Sequence, residues 1–181
     1  TKSALMVCLS LILRQIKLFS MPFGGSVTFG SLAPLIILSS KYGVKTGDVI
    51  WQAKNKCRDL IVLEPHFDEY VKYGKAARRI YYDFTDMIEP FGMDECWLDV
   101  TASEKLFGSD REIAYKIKER VKKELGITLS VGVSFNKTFA KLGSDMKKPD
   151  AITVIRRSEF KEKIWNLPAC DMLWVGRSTY K

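Results

Sequence analysis

The chain of 181 residues has a single histidine, His66, and four cysteines, Cys8, Cys57, Cys96 and Cys170, with no CxxC or Cys/His spacing among them. A zinc site therefore has too few ligands, and reduced thiols in a cytoplasm are the simpler reading. The apolar run from Ala4 to Leu13 falls short of the roughly 20 residues that span a bilayer, so no membrane partner is expected. As a signal-peptide core it lacks a small-residue cleavage site, since Met21-Pro22 stands where one would be sought. A buried strand or a disordered, non-native leader is the better reading of Leu5–Leu13. Internal repeats and low-complexity segments are absent. Acid is also absent from the front of the chain: no Asp or Glu precedes Asp48, while Lys2, Arg14, Lys17, Lys41 and Lys45 do.

What is present describes an ordinary globular protein. With 46% apolar and 28% charged residues, the chain can bury one real core and a small appendage, and wholesale disorder is excluded. A net charge of +8 invites a nucleic-acid partner, because neutralised phosphates release counterions. Its distribution weakens that inference. Five of the 29 basic residues lie ahead of Asp48, leaving 24 against 21 acidic groups, an excess of only +3 over the rest.

Beyond residue 40 the patterns become regular. Thr46 caps a predicted helix through Ile50, Ala53 and Cys57, and Leu60–Leu63 reads as a buried strand. Phe67, Tyr70, Val71, Gly74, Ala77, Ile80, Tyr81 and Phe84 recur at helical spacing along one face. Met87–Phe91 and Cys96–Thr101 are extended and close enough around Gly92 to pair as a hairpin. Ser109 or Asp110 opens a helix with Ile113, Ile117, Val121 and Leu125 inward, and Gly126 ends it. Thr128–Ser134 alternates as a strand, Asn136 caps a helix through Met146, Ile152–Ile155 is a strand and Ser158–Trp165 a short helix. The economical packing of this order is an α+β fold: a mixed, largely antiparallel sheet with helices on one face.

Two segments carry chemistry. Asp94-Glu95 sits at the hairpin in Glu89-Pro-Phe-Gly-Met-Asp-Glu-Cys-Trp-Leu-Asp-Val-Thr101. Adjacent strand residues point to opposite faces, so a tight turn at Gly92-Met93 is needed to aim both carboxylates at one cation. Alone, such a pair is more often a solvated turn. Here Trp97, Leu98 and Val100 place it at the rim of a core strand. In the second segment Lys137, Lys141 and Asp145 recur every four residues, with Lys147 and Lys148 just beyond, opposite a buried side of Phe139, Leu142 and Met146. Without context that helix face would be a solvated, salt-bridged surface.

Together with Leu129-Ser-Val-Gly-Val-Ser-Phe-Asn-Lys-Thr-Phe-Ala-Lys-Leu-Gly-Ser-Asp-Met-Lys-Lys-Pro-Asp150, the hairpin segment resembles the palm of Y-family translesion DNA polymerases of the DNA polymerase IV type, and the likeness runs from about Tyr42 to Gly176. The resemblance implies a ferredoxin-like palm, a two-Mg²⁺ site for nucleotidyl transfer, and primer-template DNA and a deoxynucleoside triphosphate as partners, with a sliding clamp as a further candidate. It assigns Asp94 to bridging the metals and Glu95 to the metal at the primer hydroxyl. Lys148 would contact the triphosphate, supported by Lys141 and Asp145. Leu167-Pro-Ala-Cys-Asp-Met-Leu-Trp-Val-Gly-Arg177 resembles the first half of the helix-hairpin-helix that opens the thumb, with Gly176 and Arg177 at a DNA phosphate.

The likeness implies four stretches: an atypical leader in place of the first palm strand and fingers (1–40), a fingers remnant (41–65), the palm (66–166) and the start of the thumb (167–181). Family members open with a strand bearing the first catalytic Asp, and this sequence has none to offer. The segment before Lys41-Tyr42 also looks shortened, so no nucleotide contact is assigned to Ser39, Ser40 or Lys41. A frameshifted start, with the true frame resuming near residue 36, would account for both departures. The expectation is a cytoplasmic lesion-bypass polymerase core with an incomplete metal site and little or no activity. Its rivals are a non-catalytic DNA-binding or partner-docking module with the same fold, and a nucleotide cyclase, which would need a Gly-Gly-rich hairpin that Phe84–Thr101 lacks.

Overall fold

The computed structural model describes residues 3–10, 27–29, 42–44, 48–58, 60–63, 67–176 and 178–179. They fall into two compact units, one of Thr1–Ser10 with Val71–Lys181 and one of Leu11–Tyr70.

The larger unit is built on a five-stranded sheet. Its strands are β1 (Ala4–Ser10), β4 (Ile88–Phe91), β5 (Glu95–Asp99), β6 (Thr128–Ser134) and β7 (Ile152–Ile155), in the order β4-β5-β1-β6-β7. All neighbours are antiparallel except β6 and β7, which are parallel. The apolar run near the N-terminus thus becomes the central strand. β1 pairs along its whole length with β6 and over five residues with β5. Pro90 lies in β4, where an edge position tolerates the missing N–H.

Local sequence explains the helices closely. In α4 (Asp110–Leu125) the Ser109 amide donates to Glu112 Oε2 at 2.7 Å while the Ser109 side chain accepts from the Glu112 amide, a reciprocal capping box. Ile113, Ile117 and Val121 on its inner side are fully buried, and Gly126 takes the left-handed conformation that ends it (φ 67°). Asn136 Oδ1 accepts from the Phe139 amide at 2.7 Å and starts α5 (Lys137–Met146). The shorter α3 (Glu104–Phe107) and α6 (Phe160–Ile164) and a 3-10 turn at Ala169–Asp171 complete the unit.

The helices cover both faces of the sheet, not one as the sequence reading had them. Every residue of β6 from Leu129 to Ser134 is buried, which requires cover on both sides. Toward α5 the strand presents Gly132: a Cβ there would stand 1.8 Å from the Ala140 carbonyl oxygen and 2.5 Å from the Ser144 amide nitrogen. Leu129, Val131 and Val133, which alternate with Gly132, face the other way and are fully buried with α4 packed on that strand.

In the smaller unit β2 (Val27–Phe29) runs parallel to β3 (Ile61–Leu63), and Ala53 of α1 (Ile50–Lys56) buries with Val44, Cys57 and Leu60. Helix α1 opens at Val49, which makes no side-chain cap; Thr46, the expected cap, lies outside the described residues. Helix α2 spans Phe67–Tyr82.

Candidate active site

The hairpin between β4 and β5 turns at Gly92, Met93 and Asp94, with Gly92 at φ 75°, a conformation that glycine adopts without strain. Asp94 stands in the turn and Glu95 is the first residue of β5, so the bend removes the strict alternation that would send their side chains apart. Behind the turn, α2 comes so close that a Cβ on Gly74 would lie 2.2 Å from the Met93 carbonyl oxygen. That approach fixes the height of the acid-bearing turn against the helix.

Helix α5 meets the acids from the face that Gly132 leaves open. Trp97 Nε1, two residues after Glu95 on the same face of β5, donates to the Lys137 carbonyl at 3.1 Å and ties strand to helix start. Lys137 also pairs with Glu89. One turn on, Lys141 Nζ lies 2.8 Å from Glu95 Oε1 and 2.9 Å from Asp145 Oδ2. Lys148 Nζ lies 2.7 Å from Asp145 Oδ1. Four sequence-predicted site residues, Glu95, Lys141, Asp145 and Lys148, are joined by these ion pairs, and Asp94 lies near enough to feel the charges of Glu95, Lys148 and Lys141. Gly176 is exposed with open space around it, and Arg177 lies outside the described residues.

The charges respond to this placement. Burial raises the Asp94 carboxyl above the usual carboxylate range, and the Glu95 charge adds to it, only partly offset by Lys148 and Lys141. Burial alone would lower the Lys141 ammonium, but its hydrogen bonds to Glu95 and Asp145 overcome that and hold it above an ordinary lysine. Asp145 is held low in spite of burial by its bonds to Lys148 and Lys141. A buried acid lifted by a neighbouring acid is one that a cation would stabilise.

The donor set fits one hard cation and falls short of the pair implied by the resemblance. Asp94 and Glu95 offer oxygen ligands of the type Mg²⁺ takes. Among the described residues no group of three or more His, Cys, Asp or Glu converges as a metal site. In the strand register, the β1 residue whose Cα is paired with Glu95 is Cys8, which is paired with Ser130 on its other side. The sequence reading treated this run as unable to provide the acid; the structure adds which of its residues is in register with Glu95. Only the inter-strand register reveals it, because nothing local to Ala4–Ser10 specifies its partner.

Comparison with known proteins follows the same lines. The impB/mucB/samB family profile matches residues 38–145, beginning close to where regular patterning starts. A profile for a thiamine transporter protein matches residues 1–50, under a third of the chain; among the described residues no helix is long and apolar enough to cross a membrane. The chain is 59% identical over 143 residues to DNA polymerase IV of Acetivibrio thermocellus, covering 79% of this chain and 36% of that protein. It is 42% identical over 137 residues to DNA polymerase IV 1 of Bacillus subtilis, covering 76% of this chain and 33% of that one. The chain thus spans about a third of the length of these curated relatives. Among solved structures it resembles a DinB family error-prone DNA polymerase from Sulfolobus solfataricus, with a TM-score of 0.82 and 26% identity, over 98% of this chain and 54% of that one. An insertion ternary complex of Dbh DNA polymerase gives a TM-score of 0.79 at 25% identity, over 97% and 55%.

Proposed function

The chain belongs to the impB/mucB/samB family, and from that premise we propose that it is the palm-bearing portion of a DNA-directed DNA polymerase of the lesion-bypass type, acting in the cytoplasm on primer-template DNA and deoxynucleoside triphosphates. The observation that carries this reading is the convergence of Asp94 and Glu95 with the Lys141–Asp145–Lys148 array at the end of α5. Asp94 and Glu95 would hold a divalent ion, which when bound acts as a Lewis acid toward a hydroxyl and neutralises phosphate charge. Lys148 offers an exposed ammonium, a point charge suited to triphosphate oxygens as negative charge builds. Asp145 orients Lys148 through its ion pair. Residues 66–166 make the palm in this reading, 41–65 a fingers remnant, 1–40 an altered first strand and fingers, and 167–181 the start of a thumb whose Gly176 and Arg177 meet DNA. A sliding clamp is a further partner in the same scheme.

The β1 residue in register with Glu95 is Cys8 and not an acid, which supports weak catalysis, because positioning is lost with each missing oxygen donor. It also favours the second reading, a polymerase fold that binds DNA without extending it. Primer extension with Mg²⁺ or Mn²⁺ separates the two. The chain itself should extend little, and Cys8→Asp should raise template-directed incorporation by about tenfold or more, an effect that Glu95→Gln abolishes. Extension by the unaltered chain at a full-length relative's rate would refute the impairment. Inert Cys8→Asp with salt-dependent DNA binding would leave the non-catalytic module.

A further inference from the structure

We propose that Lys141 is a built-in counter-ion of the acid pair, a positioning residue that holds Glu95 when no metal is bound and competes with a divalent ion for it; this rests on the metal-site reading above. Its ammonium lies between two carboxylates, 2.8 Å from Glu95 and 2.9 Å from Asp145, with Lys141 and Glu95 side chains only 13% and 15% exposed. At such depth the attraction between opposite charges is several times what water would allow, so the contact is more than a surface ion pair.

Counting charges shows what a metal would meet. Asp94, Glu95 and Asp145 are three carboxylates facing the two ammoniums of Lys141 and Lys148, a balance of −1. A divalent ion added to that array overshoots neutrality. If Lys141 leaves Glu95, the ion meets both acids of the pair undiluted. The helix provides the exit: Asp145, four residues along α5, already binds the same ammonium, so Lys141 can release Glu95 without losing its partner. The β1 position opposite Glu95 carries no carboxylate to tip the competition toward the metal. Occupation by the lysine is therefore the resting state of this site.

The test is Mn²⁺ binding to the full chain, followed by the electron paramagnetic resonance of free Mn²⁺. Lys141→Met should bind at least about tenfold more tightly than the unaltered chain, Lys141→Arg should bind like it, and Glu95→Gln should abolish binding in every background. Glu95-dependent binding of equal or lower strength in Lys141→Met overturns the proposal and leaves the metal site standing. Binding that Glu95→Gln does not change overturns both. Should Lys141→Met fail to fold, the ¹⁵N signal of the Lys141 ammonium in the unaltered chain carries the test. It should move on Mg²⁺ addition, and an unmoved signal at Mg²⁺ concentrations that occupy Glu95 sinks the idea.

Discussion

Two aspartates, Asp94 half-buried and Asp110 buried, show how surroundings set the work of one functional group. Asp94 shares its turn with Glu95 and is pushed toward the protonated form by burial and that neighbour. Asp110, at the first turn of α4, is desolvated too, yet the Arg156 guanidinium grips both its oxygens and holds its carboxyl below the usual range. The first arrangement stores a demand for a cation; the second is a finished structural pair. Because Asp110 is depressed in the folded state, its contribution to stability is present in full above the unfolded value of about 3.9 and is lost as pH falls through the lower folded value. Arg156→Met should cost about 2 kcal/mol at pH 7, less than a fully buried pair because the guanidinium is half exposed. In denaturant melts the gap between variant and parent should shrink below pH 4. A gap that persists unchanged at pH 2.5 would show that charge is not its origin.

At the scale of elements, the site depends on how closely α5 approaches the sheet. The helix lies directly over Gly132, and neither atom in the way of a Cβ there belongs to a flexible side chain: both are helix backbone. Gly132→Ala must therefore lift α5 or bend β6, at a cost of about 1–3 kcal/mol or more. Melting should fall by roughly 5 °C. Since Lys141 and Lys148 ride on that helix and the loop after it, Mn²⁺ affinity should change with it. A variant that melts like its parent would mean the helix has slack. The regular spacing of Lys137, Lys141 and Asp145 was visible in the sequence, as were the caps at Ser109 and Asn136 and the bounds of β6, α5 and β7. Gly132 gave no such signal, because a glycine in a strand announces a close approach without naming what approaches.

For the molecule as a whole, charge decides how DNA would be held. The net +8 is concentrated at the front, and the part from Asp48 onward has an excess of only +3. Many of its cations are also engaged with acids of the same chain, as in the pairs of Lys118 and Lys122 with Asp150 and of Arg120 with Asp83 and Glu124. Few phosphates can then be neutralised. Primer-template binding should weaken with salt at a logarithmic slope near −3, roughly sixtyfold between 50 and 200 mM. A slope near zero in a fluorescence anisotropy titration would remove phosphate contact from the account.

The sequence by itself determined strands β4 to β7 and helices α2, α4, α5 and α6, with the acid pair at a hairpin and the lysines along α5, because these follow from periodicity and capping over a few neighbouring residues. Tertiary structure alone decided that the acid-free run becomes the central strand, that Cys8 is paired with Glu95, and that Lys141 spans from its helix to the acid. Strand register and ion-pair choice are fixed by packing between residues far apart in the chain, and no local pattern encodes the partner.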